Sequence, residues 1–189
     1  LASFGVPGVL ADPSLRVRFF AAQALGRLAD RESGPALVAL LRENDDRDVF
    51  LRHAAVYALS RIGDLEAVVA HASDPRPAVR RAVQLVLRRA VDARIATFLE
   101  DVDPLLVVEA ARAIYDVPID GAMPGLAARL GALAPAAEDD RQIGQALHRR
   151  AIGANVRLRS AAGATALARY AADERQLGSL RTLALEQLA

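Results

Sequence analysis

Arginine side chains recur at matching positions along this chain, and their spacing is the first sign of chemistry. Four of them directly follow an apolar residue in similar segments: Arg18, Arg52, Arg80 and Arg181. A second set follows the first at a constant offset: Arg27, Arg61 and Arg89. A guanidinium presents five N–H donors in one plane, so each of these groups can bind a carboxylate or a helix-end carbonyl.

The two sets suggest different roles. We interpret Arg18, Arg52, Arg80 and Arg181 as structural groups that bond turn carboxylates or helix-end carbonyls and tie adjacent repeats together. The second set shares a helical face with Gln23 and Tyr57, which lie one turn earlier. That face is predicted to point toward the inner curve of the fold. It is either a solvated surface or the contact surface for an acidic partner or a neighbouring domain.

Other residue types predict no catalytic, cofactor-binding or metal-binding site in the chain. The histidines are His53, His71 and His148, and no two of them have the i, i+4 spacing of a zinc motif. The acidic cluster at 45–48 lacks the glycine and the distal glutamate of an EF-hand, so helix capping and solvation explain it better. The absence of cysteine excludes disulfides and thiolate metal sites within these residues.

The arginines lie in a repeated helical segment. In its first copy, apolar residues at i, i+4, i+7, i+8 and i+11 form one helical face: Val17, Ala21, Ala24, Leu25 and Leu28. Degraded copies follow around 51–60, 74–80, 110–114 and 180–184. Repeats of this size indicate supersecondary units that bury their apolar faces only against their neighbours.

This pattern predicts an all-α chain, an α-solenoid of about six antiparallel helix pairs. Aspartate followed by proline, as at Asp12-Pro13, Asp74-Pro75 and Asp103-Pro104, is expected to cap a helix whose first residue is the proline. The motif helices are predicted near 14–28, 48–62, 76–90, 104–115, 138–152 and 174–189. Their partner helices are predicted near 1–11, 33–43, 64–72, 92–100, 118–133 and 156–172, with a broken helix after Pro118 and a loop at 134–140.

Composition agrees with one continuous array over residues 1–189. Hydrophobic residues make up 53% of the chain and aromatic residues only 4%, which suits thin helix pairs. The 24 basic and 23 acidic side chains give a net charge of +1, so no nucleic-acid partner is expected. No run long enough to span a membrane is present. Both ends interrupt the repeat, so we expect the chain to be excised from a longer polypeptide.

The pattern of Asp-Pro, Val-Arg, Ala-Ala and Ala-Leu-Gly resembles HEAT repeats, in the short form also seen in bilin-lyase-like HEAT proteins. The observed steps are shorter than the roughly 40–47 residues usual for HEAT units. The resemblance implies an α-solenoid that serves as a non-catalytic scaffold for protein interactions.

A narrower resemblance is carried by three segments, 40–54, 108–119 and 154–158. Together they are similar to the HEAT region of large exported bacterial proteins that join a sugar-dehydrogenase-like β-propeller to a c-type cytochrome domain with a CxxCH motif. This resemblance implies a spacer within a haem-dependent dehydrogenase, which is periplasmic or otherwise exported and in which the haem c belongs to the parent protein. Its partners are then the neighbouring domains of the parent chain or another protein.

Three alternatives stay open at this stage. The chain could be a stand-alone HEAT adaptor. It could instead be an enzyme resembling the HEAT-type DNA glycosylases. That activity requires a strongly basic groove and aromatic residues, whereas this chain has nearly balanced charge and no tryptophan. A bilin-lyase-like role is the third alternative.

Overall fold

The computed structural model describes residues 6–188, and within them every regular element is helical. The all-α prediction is therefore confirmed. The α-helices are α1 Val6–Val9, α2 Leu15–Leu28, α3 Gly34–Asn44, α4 Val49–Ile62, α5 Leu65–Val69, α6 Pro77–Ala90, α7 Pro104–Asp116, α8 Met123–Arg129, α9 Gly144–Arg157, α10 Ala161–Ala172 and α11 Gly178–Glu186. Short 3₁₀ helices cover Arg31–Ser33, Ala93–Glu100, Asp120–Ala122 and Leu130–Ala132.

The chain divides into two compact units, unit 1 at Leu1–Ala90 and unit 2 at Val91–Ala189. In unit 1, α2 packs beside α4 and α4 beside α6, while α1, α3 and α5 pack on them as a second layer. In unit 2, α7 and α11 both pack beside α9. The 3₁₀ helix Ala93–Glu100, α8 and α10 form the second layer there. Each unit thus contains three helix pairs in two layers.

Small residues fill the core between neighbouring helices. Ala22, Ala54, Ala55, Ala58 and Ala110 are completely buried. Larger aliphatic side chains close the space between the two layers, and they include Leu25, Leu37, Leu51, Leu87, Ile95, Leu106, Ile114 and Leu126. Alanine lets adjacent helices of one layer approach closely.

Helices α2 and α4 approach each other most closely at Gly26. A Cβ atom built on Gly26 would lie 2.8 Å from the Cα of Ala58 and 3.2 Å from a ring carbon of Tyr57. At the other end of the two helices, Phe19 and Leu51 line a common groove. Since their N-terminal halves share a groove and their C-terminal halves touch, α2 and α4 run side by side in the same direction.

Side-chain caps set where most helices begin. Asp103 caps α7 as predicted, because its carboxylate accepts the Leu105 N–H at 2.9 Å and Pro104 is the first helical residue. The same prediction was wrong for Asp12, because Ser14 caps α2 and Asp12 instead accepts the Ser14 N–H at 2.7 Å. It was also wrong for Asp74, whose carboxylate accepts the Arg76 N–H before α6 begins at Pro77.

The helix predicted near 138–152 begins and ends later than expected. Asp140 accepts the backbone N–H groups of Ile143 and Gly144, at 3.2 and 2.9 Å, and this cap makes α9 start at Gly144. Helix α9 then continues to Arg157. The helix predicted near 156–172 starts only at Ala161, because Ser160 caps α10 by accepting the Gly163 N–H at 3.0 Å.

Four other predicted helices are shorter or differently wound. The segment near 64–72 is helical only at α5, after which turns carry the chain to Asp74. The segment near 92–100 is a 3₁₀ helix, and the broken helix expected near 118–133 consists of α8 between two 3₁₀ helices. Helix α11 starts at Gly178 and not near 174, because Asp173 bonds the Arg175 N–H and holds a turn. In the segment near 1–11, residues 1–5 lie outside the described residues.

Gly26 gives the first prediction. Helix propensity alone would favour Gly26→Ala by about 1 kcal/mol. The added methyl must, however, push α2 away from the backbone of Ala58, and overpacking of this kind costs about 1–3 kcal/mol. We therefore expect a net loss of up to about 2 kcal/mol in the free energy of unfolding, measured by urea denaturation.

Gly34→Ala is the matched control. Gly34 also has helical backbone angles, φ −49° and ψ −54°, and a Cβ atom added to it would have no neighbour within 4 Å. Its substitution should leave stability unchanged or raise it by about 0.4–1 kcal/mol. Equal stabilities of the two variants would contradict the close packing of α2 on α4.

Candidate interaction surface

The first arginine set binds the segment that precedes its own helix. Arg18 Nε donates to the Leu10 carbonyl at 2.7 Å, Arg80 Nη1 to the Asp74 carbonyl at 3.0 Å, and Arg181 Nε to the Ala171 carbonyl at 2.8 Å. Arg52 Nη1 lies 2.9 Å from the Asp46 carboxylate. Each guanidinium therefore holds the turn inside its own helix pair.

Arg18 also reaches the next pair. Its two terminal nitrogens donate to the two carboxylate oxygens of Glu43, at 3.0 and 2.7 Å. Arg18 is 8% exposed, so this bidentate pair is mostly shielded on the arginine side and open to solvent on the glutamate side. A buried guanidinium needs such partners, because an unpaired buried charge is strongly destabilising.

Sequence reasoning missed three further arginine–carboxylate pairs that join successive helix pairs in unit 1. Arg42 donates to Asp74 at 2.6 Å, Arg76 to Asp45 at 3.0 Å, and Arg81 lies 3.0 Å from Asp46. Burial alone would raise the pKa of Asp74, but hydrogen bonds from the Arg76 N–H and the Arg42 guanidinium lower it. Asp45 and Asp46 are thus used for ion pairing, and Asp48 caps α4.

The second arginine set is exposed and unpaired. Arg27, Arg61 and Arg89 stand near the C-terminal ends of α2, α4 and α6, and all three are exposed. None of them has a hydrogen bond or an ion pair with any residue between 6 and 188. Because α2, α4 and α6 lie side by side, successive arginines of this row are about one helix spacing apart, roughly 8–10 Å.

Gln23 and Tyr57 lie on the same face. Both are half-buried, and the Tyr57 ring covers Gly26 on the neighbouring helix. The structure therefore brings four of the five predicted surface residues together on α2 and α4. It places the fifth, Arg89, on the adjacent helix α6.

Two phenylalanines on this face were not predicted from the sequence. Phe20 is 55% exposed and Phe50 is 70% exposed, near the N-terminal ends of α2 and α4. The signal was available for Phe20, because Arg16, Phe20, Gln23 and Arg27 follow the i, i+4, i+7, i+11 pattern of one helical face. We use the name arginine–aromatic face for the surface of α2, α4 and α6 formed by these residues: Phe20, Gln23, Arg27, Phe50, Tyr57, Arg61 and Arg89.

The three histidines occupy different environments. His53 is exposed, and the His71 ring lies 3.4 Å from the Arg42 guanidinium. His148 is buried and bonded at both nitrogens. Its Nε2 donates to the Ala134 carbonyl at 3.0 Å, so its Nδ1 accepts the hydrogen of the Tyr170 hydroxyl at 2.7 Å. Among residues 6–188 no group of histidines and carboxylates could hold a metal ion.

Ala134 and Tyr170, the two hydrogen-bond partners of His148, line a cavity of about 500 Å³ in unit 2. The cavity lies between the segment 130–135 and the C-terminal half of α10, with Arg169, Tyr170 and Asp173 on its wall. Burial raises the pKa of Tyr170 to about 12, with a smaller effect from Asp173. Hydrogen bonds from Arg175 and Gln176 keep the pKa of Asp173 well below its usual value.

Asn155 and Arg157 lie at the C-terminal end of α9. Asn155 is buried and donates to the carbonyls of Ala127 and Ala151, both at 2.9 Å. The Arg157 guanidinium lies 3.8 Å from the centre of the Tyr115 ring. Asp116, at the end of α7, accepts a hydrogen bond from Arg150.

His148 gives a prediction about pH. Burial lowers its pKa below the ordinary 6.5, so the folded protein keeps this ring neutral where the unfolded chain protonates it. Its contribution to stability is complete above pH 6.5 and is lost as the pH falls from 6.5 toward the folded-state pKa. The free energy of unfolding should therefore decrease below pH 6.5 with a slope of up to about 1.4 kcal/mol per pH unit from this group.

The control is His148→Gln, compared with the wild-type chain by urea denaturation between pH 7.5 and 5. His53 and His71 remain in both proteins, so their effects cancel. The stability difference between the two proteins should change with pH only below about 6.5. Parallel curves across the whole range would show that His148 titrates alike in the folded and unfolded chains, which contradicts the lowered pKa.

Comparison with known proteins agrees with this architecture for the first half of the chain. The family model for HEAT repeats matches residues 6–88, which are nearly all of unit 1. No curated protein matches the chain. Within residues 6–188 no helix has both the length and the apolar character needed to cross a membrane. The match supports a HEAT-repeat domain, and HEAT repeats generally serve protein interaction. The propeller and cytochrome domains expected in a parent protein stay a prediction.

Proposed function

We propose that the chain is a non-catalytic scaffold whose unit 1 binds an acidic segment of a partner protein through the arginine–aromatic face. The observation that carries this proposal is the row of unpaired guanidiniums at Arg27, Arg61 and Arg89. A partner carboxylate would provide the hydrogen-bond acceptor that these groups lack within residues 6–188.

A contrast with the paired arginines of unit 1 supports this proposal. Arg18, Arg42, Arg52, Arg76, Arg80 and Arg81 are all bonded to carboxylates or carbonyls. The arginines that brace a turn or join two helix pairs therefore have an acceptor within unit 1. The guanidinium groups of Arg16, Arg31 and Arg88 also have no hydrogen bond or ion pair with a residue between 6 and 188, but only Arg27, Arg61 and Arg89 recur at matching positions of successive helices. The like charges of this row repel one another at helix spacing.

The helix dipole offers a competing reason for the same positions. Cations in the last turn of a helix are favoured by about 0.3–1 kcal/mol each, and all three arginines are close to helix C-termini. This effect explains a cation on each helix separately. It does not require the three cations to share one face with Tyr57 and the exposed Phe20 and Phe50.

The test is a charge reversal, Arg27→Glu, Arg61→Glu and Arg89→Glu in one variant. Peptides that bind the wild-type chain are first selected from an unbiased displayed library of 18-residue sequences. We expect the enriched peptides to be acidic and to lose at least tenfold in affinity for the variant, measured by fluorescence anisotropy. Their affinity for the wild-type chain should fall as salt is added.

The matched control reverses Arg141, Arg149 and Arg169 of unit 2, which are exposed and have no hydrogen bond or ion pair of their guanidinium groups with residues 6–188. It changes the net charge by the same amount but leaves the arginine–aromatic face intact, so it should bind the peptides nearly as well as wild type. Unchanged peptide binding by the first variant, with an intact helical circular-dichroism spectrum, would exclude the proposed surface. Tight binding of a labelled DNA duplex at low salt would favour the nucleic-acid alternative instead.

A further inference from the structure

A groove at the N-terminal ends of α2 and α4 continues the arginine–aromatic face. It encloses about 340 Å³ and is lined by Leu15, Phe19, Phe20, Phe50 and Leu51, with Arg16 and Asp48 at its edges. Leu51 is buried and forms the floor, whereas Leu15, Phe20 and Phe50 are each about half exposed or more. We call it the aromatic groove.

The groove is held in shape by the groups around it. Asp48 accepts the backbone N–H of Phe50 at 2.8 Å, so Phe50 is fixed in the first turn of α4. Phe19 and Phe20 pack edge to face, with ring centres 5.3 Å apart. The Arg16 guanidinium lies 6.0 Å from the centre of the Phe20 ring. Preformed aromatic surfaces of this kind lose little conformational entropy when they bind a partner.

The distance from the groove to the arginine row fixes the kind of ligand that fits both. Phe20 and Arg27 are seven residues apart on α2, which is about 10 Å along the helix axis. Phe50 and Arg61 are eleven residues apart on α4, which is about 16 Å. A ligand that contacts both ends therefore carries an apolar group and, about 10–16 Å away, one or more carboxylates.

We propose that the aromatic groove anchors an acidic amphipathic helix of a partner protein, which inserts a large apolar side chain between Phe20 and Phe50 and reaches the arginine row with carboxylates seven to eleven residues along. This proposal rests on the proposed function, because both place an acidic segment on the same face. A helix lying in the furrow between two parallel helices is a common mode of peptide recognition.

Charge distribution favours a helix over a membrane surface as the occupant. Asp48 stands at the edge of the groove and would repel anionic lipid headgroups. Arg16 is the one arginine in the groove lining, and the cations of the arginine row are offset from the apolar groups along the helix axis. A flat bilayer suits a ring of basic residues around an apolar centre better than this linear arrangement.

The test uses the same displayed library and examines the spacing within the enriched sequences. A large apolar residue seven to eleven positions from acidic residues, in either chain direction, would support the proposal. Acidic peptides without an apolar anchor would leave the proposed function intact and overturn the groove inference. Apolar peptides without acidic residues would overturn the proposed function, and with it this inference. No enrichment would overturn both.

A second measurement uses the variant Phe20→Ala with Phe50→Ala. Both side chains are exposed, so the variant should fold normally, while the enriched peptides should bind at least tenfold more weakly. The control is Val102→Ala with Leu185→Ala, which removes exposed apolar side chains from unit 2 and should leave affinity unchanged. Equal affinities of the two variants would overturn the proposal.

Vesicles of phosphatidylglycerol and phosphatidylcholine provide the membrane arm of the test. The proposal expects no sedimentation of the chain with these vesicles at physiological salt. Sedimentation that is lost in the Phe20→Ala, Phe50→Ala variant would assign the groove to a lipid surface and overturn the partner helix.

Discussion

The near contact of the α2 and α4 backbones at Gly26 and Ala58 is the constraint on which unit 1 depends. Two helices can come this close only where neither carries a side chain larger than a methyl group at the crossing point. The close approach brings the outer faces of α2 and α4 into one surface, since it places the Tyr57 ring over Gly26. The packing that buries the alanines therefore also aligns the exposed arginines and aromatic residues.

Thin layers of this kind leave many turns and helix ends near the core, and their polar groups need partners. Arginine meets this need because one guanidinium can bind a carbonyl and a carboxylate at the same time. Arg18 does so with Leu10 and Glu43, and Arg42 and Arg81 join successive helix pairs through Asp74 and Asp46. Many arginines of this chain are structural residues of this kind, which sets apart the repeated, unpaired arginines of one face.

The repeat in the sequence predicted the helices well where apolar periodicity determines them. Val17, Ala21 and Leu25 define α2, and the matching positions in α4 and α6 locate those helices within a residue or two. Prediction failed where a polar cap decides the boundary. Asp140 delays α9 and Ser160 delays α10, and neither contact belongs to the repeat. Part of the candidate surface could be predicted from the sequence, because Arg27 and Arg61 occupy equivalent positions in the repeat. Phe20 and Phe50 do not, and only the packing of α2 against α4 brings them to one groove.

The central claim is that carboxylates of a partner helix meet Arg27, Arg61 and Arg89 directly. A charge-swap cycle tests this contact. It uses two peptides, a selected peptide and its version with every glutamate and aspartate replaced by lysine. Each peptide is titrated against the wild-type chain and against the chain with all three arginines changed to glutamate. If the contact is direct, either swap alone should abolish binding and both together should restore a substantial part of it. Failure of the doubly swapped pair to bind better than the singly swapped pairs would contradict the account.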